Sequence, residues 1–268
     1  MKPKTFNVEK VIVKDFQSWF ADYVRSFATD DEDFHQNIVM KEKHTWRVCE
    51  EILDLGEKLG LSAGDLRLAE VIALFHDVGR FEQYARYRTF NDRDSEDHAA
   101  LGIKILKKNN LLDRLDGSTQ NLILRSISYH NRADLPRKET AACLFFTRLL
   151  RDADKLDIWK VVTDYYCRKD KRQNIAIELG LPDTPGISNE VYEALMRRHI
   201  VDAEHLRNLN DFKLLQIGWV FGINFAPTFH CIKERKYLDI IREHLPQSEK
   251  IDTIFSGVQS YLNEQIVT

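Results

Sequence analysis

Apolar residues recur along this chain at spacings of three and four, the period of a helix, and nowhere alternate as a half-buried strand requires. Residues 8–27 carry Val11, Val13, Phe16, Trp19, Phe20, Tyr23, Val24 and Phe27, which predicts one helix. The acidic run Asp30 to Asp33 suits a helix N-terminus, and Ile38, Val39, Trp46, Val48, Ile52, Leu55 and Leu59 extend a second helix to Gly60. Ser62, with Asp65 three residues on, makes an approximate capping box for a third. Its buried stripe runs through Leu66, Leu68, Ala69, Ile72, Ala73 and Phe75, and Gly79 is expected to stop it. The stretch from Arg80 to Asp94 has no clear period, is dense in aromatics and arginines, and reads as a long ordered loop. Ser95 then caps a helix holding His98, Leu101, Ile103, Ile105 and Leu106, and another helix runs from about Ser118 to His130 and Asn131. After Pro136, an apolar helix from Ala141 to Leu150 leads into Arg151-Asp152-Ala153-Asp154-Lys155. A basic stretch from Tyr165 to Arg172 reads as a solvated helix end, and residues 181–188 as a turn-rich connector. Further helices are expected from Val191 to Leu206, Phe212 to Phe221, Phe229 to His244 and Ile251 to Val267. The expectation is an all-α fold, one domain over residues 1–268, with a core at about 30–165 and C-terminal helices at about 188–268 packed on it.

Composition narrows this picture without changing it. Eleven glycines and six prolines in 268 residues fit long helices with few tight turns. A net charge of −3 gives no global field to draw in nucleic acid or an anionic membrane. The longest apolar run, Ala141 to Phe146, falls far short of the ~20 residues of a membrane helix. No signal-peptide core follows Met1-Lys2-Pro3-Lys4. The four cysteines (Cys49, Cys143, Cys167, Cys231) are scattered and never form Cys-x-x-Cys, so reduced, mostly buried thiols in a cytoplasmic protein are expected.

The chemistry gathers around His76-Asp77. An apolar run, Val71 to Phe75, ends abruptly in these two side chains, which places them at the inner end of a buried helix. A buried aspartate is costly unless a cation or hydrogen bonds compensate it, and imidazole with carboxylate suits a divalent metal. With nine histidines in the chain, the dipeptide by itself says little. His44 lies mid-helix beside Trp46 and Val48, His98 falls in a first helical turn, and His130 sits at a helix C-terminus, where a helix dipole alone would suit it. Asp154 follows Leu150 by four residues, which makes a buried-side carboxylate plausible. Such a set can converge in a helical bundle, as dinuclear sites do. His199, His205, His230 and His244 have no mutual ligand spacing and read as structural or surface residues.

The order of residue types resembles the HD-domain metal-dependent phosphohydrolase superfamily, whose signature is a His, then His-Asp, then a distal Asp on separate helices. His76-Asp77-Val78-Gly79-Arg80 looks like its His-Asp-Ile-Gly-Lys motif, and Asp97-His98-Ala99-Ala100-Leu101-Gly102 like its His-x-x-x-Gly element. Tyr129-His130-Asn131 stands where two-metal members carry His-His-Glu, and Asp152-Ala153-Asp154-Lys155-Leu156-Asp157 resembles the closing element. The stretch Arg80-Phe81-Glu82-Gln83 through Phe90-Asn91-Asp92 to His98 is similar to a subgroup of bacterial HD-domain hydrolases whose substrates are generally unassigned. The resemblance covers about residues 40–160. Tyr129 in place of a histidine, Arg80 in place of lysine and the absence of Gly-Tyr-Pro leave a cyclic-di-GMP assignment unsupported.

The resemblance implies an HD-domain-like bundle in which His44, His76, Asp77 and Asp154 hold one metal. Asp77 then bridges to a second metal held by His98 and His130. It implies hydrolysis of a phosphate monoester or phosphodiester, such as that of a nucleotide, by metal-activated water, with Asp77 and Arg80 catalytic. Arg80 and Arg88 are the substrate contacts expected, with Arg86 and Arg93 as further candidates. Mixed imidazole and carboxylate ligands favour Mn²⁺ or Fe²⁺ over Mg²⁺. Two alternatives stay open: a diiron oxygenase similar to myo-inositol oxygenase, which has the same ligand set, and a non-catalytic nucleotide-binding module. For residues 160–268 the open roles are shaping the pocket and forming a homodimer face.

Overall fold

A computed structural model describes residue 6 and residues 8–168 and 175–267, and every regular element among them is helical. Two compact units divide the chain, Met1–Asp154 and Lys155–Thr268.

In the first unit the helices are α1 (Lys10–Arg25), α2 (Glu32–Lys58), α3 (Ala63–Phe75), α4 (Val78–Tyr87), α5 (His98–Lys108), α6 (Gly117–Tyr129) and the start of α7 (Ala141–Tyr166). The caps explain most of the starts. Asp31 accepts from the Phe34 amide ahead of α2, Ser62 from the Asp65 amide ahead of α3, and Asp97 from the Ala100 amide ahead of α5. The cap of α5 is therefore Asp97, not Ser95, whose hydroxyl donates to the Asn91 carbonyl instead. Helix α3 is buried almost all round, from Leu68 to Phe75 with Glu70 its one half-exposed residue, and it packs against α1, α2 and α6. Edge-to-face rings tie α1 to it and to its neighbours: Phe16 with Phe75 at 5.3 Å, Phe20 with Trp46 at 5.5 Å and Phe20 with Phe81 at 5.6 Å.

The expected long loop at Arg80–Asp94 is mostly helix. Val78, Phe81 and Tyr84 recur every three residues and bury one face of α4, a pattern masked in the sequence by Gln83, which is polar and also fully buried. The loop proper begins at Arg88, which adopts a left-handed conformation (φ 56°) and donates its amide to the Tyr84 carbonyl. Nor does Gly79 stop α3. That helix ends at Phe75, and Gly79 lies inside α4, where a Cβ would sit 2.1 Å from the His98 carbonyl oxygen and 2.6 Å from the Gly102 nitrogen. Its role is close backbone approach between α4 and α5.

A stack of rings lies beside this junction. Phe34 stacks on Tyr84 at 5.5 Å and Tyr84 on Phe90 at 4.6 Å. A cation covers each end: the Arg88 guanidinium lies 4.4 Å from the Phe34 centroid, and Lys41 Nζ lies 5.3 Å from that of Phe90.

The second unit continues α7 and adds α8 (Ile175–Glu178), α9 (Asn189–Met196), α10 (Leu209–Gly218), α11 (Ala226–Glu234), α12 (Tyr237–Glu243) and α13 (Glu249–Val267). Trp159 is fully buried there, donating Nε1 to the Gln216 carbonyl at 2.9 Å and stacking on Tyr237. Two expected helices are broken by left-handed residues. The one expected over 191–206 stops at Met196, with Arg198 at φ 58°. The one expected over 229–244 divides into α11 and α12 at Lys236, φ 55°. Of the basic stretch ending at Arg172, residues 169–172 lie outside the described residues. No described helix is long and apolar enough to cross a membrane. All four cysteines are free, three of them buried and Cys167 exposed.

Candidate metal centre

Only two residues, His76 and Asp77, separate α3 from α4, so the chain turns at this dipeptide. Asp77 has non-helical dihedrals (φ −107°, ψ 13°) and makes no side-chain cap, which leaves its carboxylate for tertiary partners. Five other side chains meet it there. His44 comes from the middle of α2, His76 from the end of α3, His98 from the first turn of α5, His130 from the end of α6 and Asp154 from α7. His44, His76, Asp77, His98 and His130 are all buried.

The two oxygens of Asp77 face different partners. Oδ1 lies 3.3 Å from His98 Nε2 and 3.9 Å from His130 Nε2; Oδ2 lies 3.5 Å from His44 Nε2 and 3.7 Å from His76 Nε2. Asp154 Oδ1 closes the second group, 3.2 Å from His44 Nε2 and 3.7 Å from His76 Nε2. One carboxylate thus stands between two clusters of imidazole nitrogens, and each cluster could hold an ion.

The ring orientations are fixed from behind. His76 Nδ1 donates to the Ala73 carbonyl at 2.6 Å and His130 Nδ1 to the Ile127 carbonyl at 2.7 Å. His98 Nδ1 donates to Asp92 Oδ2 at 2.7 Å. Carbonyls and carboxylates only accept, so the Nε2 atoms carry lone pairs directed into the cluster. His98 Nε2 and His130 Nε2 are then two lone pairs 3.0 Å apart, and His76 Nε2 is buried without a hydrogen bond. A proton shared by the first pair is disfavoured. Burial, aided by Arg80, lowers His98; burial with the neighbouring His98 and His76 pulls His130 down to about 3. A divalent cation in each group would satisfy these nitrogens, and the residues present fit such ions.

The carboxylates are charged and ready for it. Burial would raise Asp77, but Lys41, His76, Arg80 and His98 outweigh burial and hold it well below the usual carboxylate range. Asp154 is likewise held well below, with His44 and His76 outweighing burial. These directions set the pH dependence of the metal-free protein. Between about 3 and 6.5 the unfolded chain takes a proton at His130 that the folded chain refuses. Asp77 and Asp154 act in the same sense near pH 4, so stability falls as pH falls. The Tm of metal-free protein is expected to drop by roughly 5 °C or more between pH 7 and pH 5 and more steeply below that, by scanning calorimetry. A flat profile would mean that the folded cluster takes up protons freely.

Three neighbours draw no role of their own from the sequence, although Gln83 and Asp92 fall in the stretch that resembles the hydrolase subgroup. Lys41, one helical turn before His44, places Nζ 2.9 Å from Asp77 Oδ2. Asp92 backs His98. Gln83 donates to Asp92 Oδ1, Ser95 Oγ and the Glu96 carbonyl at 2.8, 2.8 and 2.9 Å. Arg80 lies against the cluster, Nε 3.4 Å from Asp77 Oδ1, while its NH1 donates to Gln83 Oε1, the Phe90 carbonyl and Asp92 Oδ1. Arg88, expected at the substrate, is placed elsewhere. It pairs with Asp31 at 2.9 Å and covers Phe34, near the start of α2, roughly 20 Å along that helix from His44. Arg86 pairs with Glu82 and Glu96, and Arg93 is exposed.

Residues 42–159 match the family model described as HD domain. No curated protein and no solved structure matches the chain.

Proposed function

We propose, from the match of residues 42–159 to the HD-domain family model, that this protein is a two-ion phosphohydrolase acting on a small phosphorylated molecule, nucleotides included. The supporting observation is the division of Asp77, with Oδ1 toward His98 and His130 and Oδ2 toward His44 and His76. A carboxylate so shared suits a pair of ions, Mn²⁺ or Fe²⁺ by ligand type. When bound, such a pair supplies a nucleophile from water at neutral pH and neutralises phosphoryl oxygens. His44, His76, Asp77 and Asp154 would hold one ion; Asp77, His98 and His130 would hold the other.

The remaining work falls to fixed charge. Arg80 is held beside Asp77 by NH1, whose two N–H groups are shared among Gln83 Oε1, the Phe90 carbonyl and Asp92 Oδ1, so its guanidinium is in place before charge develops on the phosphoryl group. Arg80→Ala is expected to lower kcat by on the order of 10²-fold. Lys41 competes for Asp77 Oδ2 while no ion is bound and is free to turn to a substrate oxygen once one is. Lys41→Met is expected to tighten Mn²⁺ binding about tenfold in titration calorimetry, since a positive charge beside the ligand is removed, and to raise KM for a phosphoester.

The test is metal content of protein purified without chelator, followed by a phosphomonoester and phosphodiester panel with the metal found. Two equivalents and turnover are expected. Iron with an optical charge-transfer band and no phosphoester turnover would turn the reading to a diiron oxygenase, which the same four histidines and two aspartates would serve. Tight metal binding with no reaction would leave a binding module.

A further inference from the structure

Behind His98 stands a carboxylate with more partners than a loop residue needs. Asp92 lies in the short 3-10 turn Asp92–Asp94, with its side chain about one-third exposed. Yet both its oxygens are within 2.9 Å of His98 Nδ1. Oδ1 also accepts from Arg80 NH1 and Gln83 Nε2, each at 2.8 Å, and Oδ2 accepts from Asn131 Nδ2 at 3.3 Å. Gln83 is fully buried on α4, and its amide ties Asp92 to Ser95 and to the Glu96 carbonyl, so the loop is held in one arrangement against α4. By contrast, His76 and His130 are oriented by carbonyls of their own helices, three residues back. His98 opens its helix and has no preceding turn to supply such a carbonyl. Its orientation comes from the loop instead.

We infer that Asp92 is a positioning residue for His98, so that the ion site built on His98 and His130 is loaded only while the Gln83-held loop keeps Asp92 in place. The site on His44, His76 and Asp154 does not depend on it. The inference rests on the two-ion reading above and adds to it an order of loss: one half of the centre empties without the other. Asp92 acts through His98: its oxygens meet Nδ1, whereas the nitrogen that faces Asp77 is Nε2.

The experiment loads the full-length protein with Mn²⁺ and reads stoichiometry by elemental analysis and the metal environment by electron paramagnetic resonance. A carboxylate-shared Mn²⁺ pair gives an exchange-coupled spectrum; a lone Mn²⁺ gives six lines. Asp92→Asn keeps the side-chain shape but removes the negative charge and leaves one acceptor oxygen, for which Arg80 NH1 and Gln83 Nε2 compete with His98 Nδ1–H. It is expected to hold about one equivalent with a six-line spectrum, while the parent holds two with a coupled one. Gln83→Met, which removes only the clamp, is expected to weaken the second equivalent by roughly 10–100-fold, the usual range for a partner behind a metal ligand. Asp92→Glu should recover part of the coupled signal. Circular dichroism melts report folding separately, and Gln83→Met provides the same test if Asp92→Asn does not fold.

Two equivalents and an unchanged coupled spectrum in Asp92→Asn would overturn the inference and leave the two-ion reading standing. A parent that binds a single equivalent, or none, would overturn both.

Discussion

Asp77→Ala is expected to empty the whole centre, both ions together, and to abolish phosphoester turnover. The other cluster members serve one group each, whereas Asp77 faces both through its two oxygens. Its removal also strips the carboxylate that Lys41 Nζ meets at 2.9 Å and Arg80 Nε at 3.4 Å. Without that negative charge the two cations oppose any divalent ion. The loss of metal affinity should exceed the ~10–100-fold typical of a residue behind a ligand, leaving near-zero metal by elemental analysis. His98→Ala, for comparison, should keep about one equivalent. Two retained equivalents in Asp77→Ala would end the shared-carboxylate reading. Asp77→Asn separates charge from shape: if charge is what matters, it behaves like the alanine variant.

Gly79→Ala is expected to be the most damaging single-methyl change in the first unit. The added Cβ would fall 2.1 Å from one backbone oxygen and 2.6 Å from a backbone nitrogen, and backbone cannot swing aside as a side-chain tip can. Overpacking ordinarily costs about 1–3 kcal/mol and more where nothing yields. A cost of about 3 kcal/mol corresponds to a Tm lower by roughly 10 °C for a unit of this size. The cost is functional too, because the oxygen that must move belongs to His98. The variant should therefore lose its second ion at temperatures where circular dichroism still shows it folded. The facing residue gives a milder control. A Cβ at Gly102 would meet Val78 Cγ1 at 3.1 Å and the Gly79 nitrogen at 3.3 Å, so Gly102→Ala should cost less. Equal effects would mean the helices separate easily and the contact is loose.

How much of this was legible in the sequence differs from element to element. The all-helical architecture was legible, since the three-and-four spacing is strong and Ser62 with Asp65 marks the start of α3 plainly. The six side chains that meet at the centre were also singled out, because each lies near the end or buried face of an expected helix and their order resembles the family signature. Helix α4 was hidden by a buried polar residue. Gln83 occupies a position that ordinary patterning reserves for leucine, so the period broke where the loop had to be clamped. Asp92 belongs to the resembling stretch but is given no role by it. It sits among Asn91, Arg93 and Asp94, which read together as a polar turn, and the fold is what brings it to His98. Lys41 was lost in the run Lys41-Glu42-Lys43, where helix phase alone decides which of three charges turns inward. Arg88 reads as a substrate contact from its place in an arginine-rich stretch, and the fold pairs it with Asp31 near the start of α2.

The stack of Phe34, Tyr84 and Phe90 has an evolutionary consequence. Its rungs come from α2, α4 and the loop, and a cation rests on each outer face, so exchanging one rung bares the ring beside it. Selection should then act on the ladder as one inherited character. A lineage that trades Phe90 for an aliphatic residue is expected to keep Lys41 on Asp77 and to change Tyr84, the ring it uncovers. The rungs would record, in chains that have diverged elsewhere, which descendants kept the ladder whole.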